Sequence, residues 1–244
     1  MNILSIGNSF SQDAQRYLHQ IAKADGVIVD CFNLCIGGCA LSEHHKNLLS
    51  EERAYTLEMN GNSTGFYVSL NEALINREWD IITLQQVSHL SPNYDTYQPF
   101  LDVLAEHIKK VVPNAKIAIH QTWAYEQGSE RLCEALKYSD CREMLADIVK
   151  AYQKAAERIC ADFIIPSGEV FGALFENGIE KIHRDTFHAS RGVGRYALGL
   201  TWYKTLTDGD IQNNSFSDFD EEISAREIEI AKKSVEEIVK KYDK

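Results

Sequence analysis

The amino-acid sequence predicts an α/β fold built on a five-stranded parallel sheet. Short apolar runs alternate along the chain with longer amphipathic stretches, which is typical of parallel strands joined by crossover helices. The short runs are rich in Ile, Val, Leu or Phe, as strands covered on both faces require. With 244 residues, 44% of them hydrophobic, the chain has the size and composition of a single domain over residues 1–244.

The individual elements follow from these runs and from the turn residues between them. Predicted strands lie at residues 2–6, 28–35, 80–85, 115–121 and 161–165. Predicted helices lie at about residues 12–25, 69–76, 97–112, 141–160, 192–207 and 221–242. The last helix has an apolar stripe opposite many Glu and Lys residues, which indicates a C-terminal surface helix docked on the domain. Segments 41–64, with turn formers at Asn60 and Gly61, and 125–139 lack periodicity and are interpreted as long loops.

Composition narrows the classes of partner. The formal net charge of -11 argues against nucleic acid or an anionic membrane surface, since both need clustered Lys and Arg. No stretch approaches the roughly 18 apolar residues of a membrane span, and Met1 leads at once into the first strand. We therefore expect a cytoplasmic protein acting on a small molecule, without a membrane partner.

The cysteines fit this expectation. The six cysteines lack Cys-x-x-Cys spacing and are spread through a domain of ordinary size, which favours reduced, packed thiols. A disulfide between Cys133 and Cys141 stays open as an alternative if the protein is exported.

The first chemical motif is the run Ile6-Gly7-Asn8-Ser9-Phe10-Ser11, in which the first strand turns into a helix beginning near Ser11 or Gln12. Ser9 would lie in this turn with an exposed hydroxyl, and its backbone N–H would point with the helix N-terminus toward a developing oxyanion. This is the geometry that an acyl-transfer nucleophile needs. The alternative is that Ser9 or Ser11 only caps the helix, a common role for serine.

The second motif is Asp185-Thr186-Phe187-His188, before the predicted helix at 192–207. A spacing of three residues lets Asp185 hold one ring nitrogen of His188 while the other nitrogen faces the nucleophile. His188 would then be the base and Asp185 its orienter. Three alternatives remain: a surface salt-bridge cluster with Arg184, a helix cap by Asp185, or a metal site formed by His183, Asp185 and His188.

These motifs resemble conserved blocks of the SGNH (GDSL-type) hydrolases. Residues 7–11 are similar to the Gly-Asp-Ser-x-Ser first block, and residues 185–188 to the Asp-x-x-His last block. Residues 33–38, Asn-Leu-Cys-Ile-Gly-Gly, resemble the second block, whose last glycine, here Gly38, would donate a backbone N–H to the oxyanion hole. The resemblance implies a flavodoxin-like three-layer α/β/α sandwich with a five-stranded parallel sheet.

The third block departs from the pattern of that superfamily. Its Gly-x-Asn-Asp is replaced after the third strand by Leu84-Gln85-Gln86-Val87-Ser88. Branches similar to sialate O-acetylesterase and acetylxylan esterase use Gln there, so the resemblance assigns the amide of Gln85 to the oxyanion hole, with Gln86 in reserve. The other departure, Asn8 for Asp, is expected to matter little because that position is not part of a triad.

The resemblance implies a serine esterase with Ser9, His188 and Asp185 as catalytic residues. Its oxyanion hole would be formed by Ser9, Gly38 and Gln85, and neither a cofactor nor a metal ion is expected. Two alternatives stay open: a catalytically degenerate carbohydrate-binding protein of the same fold, and the metal-dependent hydrolase. Nothing in the sequence indicates an oligomeric state.

Aromatic residues near the predicted strand ends indicate the substrate. Trp123 and Tyr125 follow the fourth strand and His89 follows the third, and aromatic faces are suited to stacking on sugar rings. Together with the Gln-type third block, these residues favour a small acyl ester, in particular an acetyl ester, on a carbohydrate, and the carbohydrate is mostly what the resemblance implies. The alternative for Trp123 and Tyr125 is packing beneath the loop as part of the core.

Overall fold

The computed structural model describes residues 1–242 and contains all five predicted parallel strands. Strands in chain order are β1 (Asn2–Gly7), β2 (Asp30–Cys35), β3 (Tyr55–Met59), β4 (Asn62–Val68), β5 (Ile81–Leu84), β6 (Lys116–His120) and β7 (Phe163–Ile165). They form one sheet in the order β4-β3-β2-β1-β5-β6-β7. β2, β1, β5, β6 and β7 are parallel, whereas β3 and β4 are antiparallel.

Helices cover the sheet, so the predicted α/β sandwich is confirmed. They are α1 (Ser9–Gln15), α2 (Leu18–Ala24), α3 (Leu41–Ser50), α4 (Leu70–Ile75), α5 (Phe100–Val111), α6 (Cys141–Ile159), α7 (Ser167–Glu176), α8 (Val193–Thr207) and α9 (Ala225–Val239). One group packs together as α1, α2, α7, α8 and α9, and another as α3, α4, α5 and α6. β1 lies at the middle of the sheet, and its Ile3, Leu4 and Ile6 side chains are fully buried.

The sheet has two strands more than predicted. The interpretation of residues 41–64 as an irregular loop is wrong, because this segment contains α3, β3 and the start of β4. The turn formers Asn60 and Gly61 join β3 to β4 with positive φ angles of 51° and 78°, the backbone that a two-residue hairpin requires. β4 is an edge strand with mostly exposed side chains, so it lacks the apolar alternation that would identify it in the sequence.

Two helices also begin or end differently from the prediction. The helix predicted at 12–25 is divided into α1 and α2 at Arg16 and Tyr17, and it begins earlier, at Ser9. The C-terminal helix predicted at 221–242 is shorter and buries the expected stripe around Ala231, Val235 and Ile238. No helix within residues 1–242 is both long and apolar enough to cross a membrane.

Candidate active site

Ser9 is the first residue of α1, directly after the carboxyl end of the central strand β1. Its hydroxyl is half-buried, and its Oγ lies 2.7 Å from His188 Nε2. The helix begins at Ser9 rather than near Ser11 or Gln12, so the serine lies at the helix N-terminus instead of in a preceding turn. The partial positive charge of that terminus is therefore next to the hydroxyl.

Capping of α1 is the role of Asn8, not of Ser9. The Asn8 side-chain oxygen accepts from Phe10 N–H at 3.0 Å, and Ser11 Oγ accepts from the Asn8 N–H at 3.1 Å. Ser11 completes this capping box, so the alternative of a capping serine holds for Ser11. The Ser9 hydroxyl takes no part in the capping box and bonds to His188 instead.

Asn8 also connects three segments of the site, which is more than its sequence position suggested. Its Nδ2 donates to Cys39 O at 3.1 Å, beside Gly38, and its Oδ1 accepts from Gln85 Nε2 at 2.8 Å. An aspartate would lack the donor to Cys39 O. Asn8 therefore contributes to the local structure, and the expectation that Asn in place of Asp matters little stays a prediction.

His188 and Asp185 meet as their spacing predicts. His188 Nδ1 lies 2.8 Å from Asp185 Oδ2, and the His188 backbone N–H donates to Asp185 Oδ1 at 2.9 Å. Because a carboxylate only accepts, Nδ1 carries the proton and the Nε2 of a neutral ring accepts from Ser9. Burial acts to raise the pKa of Asp185, but the hydrogen bonds from the His188 side chain and backbone hold it below its usual value.

Hydrogen bonds from the segment after β6 fix the loop of residues 185–188, which we call the base loop. Trp123 Nε1 donates to Phe187 O at 2.8 Å, and Glu126 N–H donates to Thr186 O at 2.8 Å. Thr186 has a positive φ of 74°, so the loop includes one residue in the left-handed region. Distant segments therefore hold this loop in place.

Asp13 joins the base loop to the helix of Ser9, and the sequence analysis did not identify it. This fully buried carboxylate accepts from Arg184 Nη1 at 2.9 Å on both oxygens and from Arg195 Nε at 2.9 Å. It also accepts from the Ala189 N–H at 3.2 Å. Asp13 lies one helical turn after Ser9, and Arg184 and Ala189 flank the base loop, so this ion cluster fixes one segment against the other. Arg184 therefore pairs with Asp13 and not with Asp185.

A row of buried polar side chains lies beneath the nucleophile. His120 Nδ1 is 2.7 Å from Gln85 Oε1, and His120 Nε2 is 3.2 Å from Ser167 Oγ. Complete burial lowers the pKa of His120 to about 3, so the ring is neutral and donates from Nδ1 to the amide oxygen. This bond fixes the orientation of the Gln85 amide, whose nitrogen faces Asn8.

The structure distinguishes the two glutamines of the third block. Gln86 Oε1 accepts from the backbone N–H groups of Leu41 and Val87, and Gln86 Nε2 donates to Thr96. Gln86 thus connects loops, and its amide nitrogen is committed to Thr96. Gln85 is the one bonded to the neighbour of Ser9.

The two backbone N–H groups assigned to the oxyanion hole by the resemblance are those of Ser9 and Gly38. Gly38 has a positive φ of 68° and occupies an exposed turn closed by the Cys39 N–H donating to Ile36 O. Within residues 1–242, neither the Ser9 N–H nor the Gly38 N–H has a hydrogen-bond acceptor in the protein. Both groups are therefore free for another acceptor.

The predicted substrate-binding aromatic residues differ in position. Trp123 is fully buried and stacks between Phe10 and Phe171 at 4.1 and 4.7 Å, so its predicted role as a sugar-stacking surface is wrong. Tyr125 is only 4% exposed and its hydroxyl pairs with Ser88 Oγ at 2.9 Å. His89 is exposed, and its contact with substrate remains a prediction.

The three residues of the alternative metal site form hydrogen bonds within the protein. Burial lowers the pKa of His183 to about 4, and its Nε2 donates to Ala124 O at 3.0 Å, which leaves Asp185 and His188 to each other. Among residues 1–242, no group of three His, Cys, Asp or Glu side chains has the arrangement of a metal site. A cavity of about 840 Å³ between α6, α7 and α9 is lined by Tyr125 and His183 but not by Ser9 or His188.

Comparisons with known proteins agree with this fold. The sequence profile of DUF4886, a domain of unknown function, matches residues 2–238. A crystal structure of a DUF4886 family protein from Bacteroides uniformis is 31% identical, with a TM-score of 0.92 over 98% of this chain and 94% of that chain. No curated protein matches the chain.

More distant structures show the same fold at lower identity. An SGNH hydrolase candidate from Slackia heliotrinireducens is 23% identical, with a TM-score of 0.60 over 86% of this chain and 99% of that chain. Axe2, an acetylxylan esterase from Geobacillus stearothermophilus, is 14% identical, with a TM-score of 0.53 over 88% and 94%. The predicted three-layer α/β/α fold is thereby confirmed, since these structures share it with this chain.

Proposed function

The chain belongs to the DUF4886 family, and from that premise we propose that it is a serine esterase whose reaction is carried by Ser9, His188 and Asp185. The observation that carries the proposal is a chain of two hydrogen bonds. Ser9 Oγ bonds to His188 Nε2, and His188 Nδ1 bonds to Asp185. Ser9 lies at the carboxyl end of a parallel strand and at a helix N-terminus, where α/β sheets place their ligands.

The first half-reaction acylates Ser9. His188 Nε2 takes the hydroxyl proton while Ser9 Oγ forms a bond to the ester carbonyl carbon. When the tetrahedral intermediate collapses, the carbon–oxygen bond to the alcohol breaks and the His188 imidazolium returns the proton to the alcohol. Asp185 keeps the ring in the required tautomer and stabilises its positive charge.

The second half-reaction hydrolyses the acyl-enzyme. A water molecule gives its proton to His188 and attacks the acyl carbon, and Ser9 leaves with the proton that His188 returns. In both steps the oxyanion accepts from the N–H groups of Ser9 and Gly38 and from the second hydrogen of Gln85 Nε2. The orientation of Gln85 between His120 and Asn8 supports this role, since it holds the amide nitrogen on the side of Ser9.

The proposed substrate is a small acyl ester, in the first instance an acetyl ester of a carbohydrate. The shared fold with an acetylxylan esterase and the Gln-type third block support this class. Because Trp123 is buried, the proposed contacts with the sugar involve exposed groups such as His89.

The test is hydrolysis of p-nitrophenyl acetate by wild type and by Ser9→Ala. We expect kcat to fall by roughly 10⁵-fold in the variant, because the residues of a triad act as a unit. Ser215→Ala, which removes an exposed hydroxyl elsewhere, is the matched control and should keep the wild-type rate. Mass spectrometry should locate a fluorophosphonate adduct on Ser9 in wild type only.

Other outcomes separate the alternatives. An unchanged rate in Ser9→Ala would overturn the assignment of the nucleophile. Saturable binding of acetylated xylooligosaccharides without turnover or labelling would identify a binding protein of this fold. Loss of activity on exhaustive chelation would favour a metal-dependent reaction.

A further inference from the structure

A cation lies beside the proposed catalytic base. The Arg131 guanidinium carbon is 4.3 Å from the centre of the Phe187 ring, and that ring is 4.0 Å from the imidazole of His188. Arg131 begins a short π-helical segment, Arg131–Ala135, in the long connection after β6. One aromatic ring therefore separates this positive charge from the group that would activate Ser9.

The protein does not neutralise this charge locally. Within residues 1–242, Arg131 is exposed and its guanidinium donates to no protein acceptor and forms no salt bridge. The nearby cation Arg184 is different, because its guanidinium is held by the buried carboxylate of Asp13.

The acidic neighbours of Arg131 do not change this. Glu130 and Glu134 are exposed and adjacent on the same segment, yet neither is paired with the guanidinium. The chain has 36 acidic and 25 basic side chains, so unpaired cations are not imposed by its composition. Across residues 1–242, Arg226 is an exposed cation without an ion pair as well, but Arg131 is stacked on the ring that contacts His188. Its guanidinium is therefore placed to bind an anion from outside the chain next to the proposed base.

The surroundings of Arg131 leave its donors usable. Stacking on Phe187 orients the planar group without using its N–H edges, which remain available for a bidentate contact. Tyr125 is close enough for Arg131 to influence it: burial raises the pKa of this phenol, while Ser88 and Arg131 oppose the increase. The Tyr125 ring also contacts Phe187 edge-on at 5.7 Å. The ring of Phe187 thus lies between the Arg131 guanidinium and the His188 imidazole.

We propose that Arg131 binds a carboxylate of the substrate, so that the preferred ester carries one negative charge near the scissile bond. This inference rests on the proposed function and specifies its substrate class. Guanidinium and carboxylate form paired, charge-assisted hydrogen bonds, the geometry that the free edge of Arg131 offers. The carboxylate belongs either to the alcohol, as in a uronate sugar, or to the acyl group, as in a dicarboxylic half-ester.

Two pairs of esters distinguish these sources. An acetylated methyl glucuronoside and the matching methyl glucoside differ in the alcohol, whereas p-nitrophenyl hemisuccinate and p-nitrophenyl pentanoate differ in the acyl group. In Arg131→Gln, we expect kcat/KM to fall by about 10- to 100-fold for the charged member of one pair, the range of a hydrogen-bonded charge contact. The change should fall mainly on KM, and the neutral member should change by less than about 3-fold.

Two variants control for loss of structure. Arg131→Lys keeps the positive charge but removes the paired N–H donors of the guanidinium. This variant should retain part of the preference for the charged ester. Arg226→Gln removes an exposed cation elsewhere and should leave both members of each pair unchanged. Equal losses on charged and neutral esters in Arg131→Gln would mean that Arg131 only supports Phe187, and no loss on any ester would equally overturn the proposal.

Binding without turnover separates this proposal from the esterase proposal. Calorimetric titration of Ser9→Ala with both charged esters should show binding of one of them, weakened by about 10- to 100-fold on adding Arg131→Gln. If wild type hydrolyses no ester but this dependence is present, the esterase assignment fails and the carboxylate site stands. If esters are hydrolysed but neither ester depends on Arg131 in binding or turnover, the carboxylate site fails alone.

Discussion

The proposed catalytic triad has two halves, the nucleophile Ser9 and the base loop with His188 and Asp185. Different kinds of interaction hold each half in place. Ser9 is fixed by its own strand-to-helix junction, where Asn8 caps α1 and the central strand β1 is buried. Local bonds also close the base loop, since Asp185 bonds to His188 and the Arg184 N–H donates to His188 O at 3.0 Å. Contacts from Asp13, Trp123 and Glu126 then hold the loop against the rest of the domain. Chain geometry therefore sets the nucleophile, whereas tertiary contacts bring the base to it.

This difference has a chemical consequence. A hydrogen bond between Ser9 and His188 joins residues 179 positions apart, so a small shift of the base loop is enough to break it. The fully buried Asp13 lies between the two halves and belongs to the helix of Ser9. Substitutions that affect one half only should therefore give distinct results in stability and in activity.

The largest expected effect follows from Asp13→Asn. Removing the buried carboxylate leaves Arg184 without its acidic partner and Arg195 with Asp220 only. We expect the free energy of unfolding to fall by about 3–5 kcal/mol. Urea denaturation measures this loss. At a temperature where the variant is folded, labelling of Ser9 by a fluorophosphonate should also slow, because the base loop is no longer anchored.

Controls make the Asp13 prediction specific. Asp208→Asn removes a carboxylate that is 89% exposed, and its effect should stay within about 0.5 kcal/mol. Arg184→Gln offers a milder break if Asp13→Asn fails to fold, since Arg195 still pairs with Asp13. A stable Asp13→Asn variant with normal labelling would contradict the anchoring role.

A second contrast lies within the nucleophile half, between Gln85 and Gln86. Gln85→Glu keeps the shape but replaces the amide donor with a carboxylate, and kcat should fall by about 10²- to 10³-fold, as for loss of an oxyanion donor. Gln86→Ala should cost about 1–3 kcal/mol of stability through lost loop bonds, with little change in the kcat of the folded enzyme. Steady-state kinetics and urea denaturation measure the two effects.

Two other results would contradict the roles assigned to Gln85 and Gln86. A loss of kcat confined to Gln86→Ala would move the donor to the second glutamine. Equal kcat in Gln85→Glu and wild type would remove the side-chain amide from the proposed oxyanion hole.

The smallest effect concerns pH and compares buried histidines in different parts of the site. Burial lowers the pKa of His44 and of His120 to about 3, and that of His183 to about 4. Below its usual pKa of roughly 6.5 the unfolded imidazole binds a proton that the folded one does not, so stability falls with falling pH. From pH 7 to 5.5 each histidine should cost about 1 kcal/mol.

Denaturation at several pH values tests this dependence. His183→Gln removes one of the three groups and should make the loss of stability between pH 7 and 5.5 smaller by about 1 kcal/mol. An unchanged pH dependence in this variant would show that the His183 imidazole, two residues before the base loop, is not kept neutral by folding.

Much of the fold could be predicted because its signals are local. Each parallel strand is a short apolar run, and burial on both faces makes such runs visible in sequence. The antiparallel hairpin was missed although Asn60 and Gly61 marked its turn, because the edge strand β4 exposes most of its side chains. Exposure removes the apolar pattern on which strand prediction depends.

The sequence alone determined the order of the parallel strands along the chain, the position of Ser9 after the first of them, and the spacing that lets Asp185 bond to His188. These features depend on neighbouring residues, so short patterns contain them. Tertiary structure alone decided that Ser9 meets His188, that Asn8 and Asp13 connect the segments of the site, and that Trp123 is buried. The physical reason is that hydrogen bonds, ion pairs and burial between distant segments depend on how the layers pack, which no local pattern records.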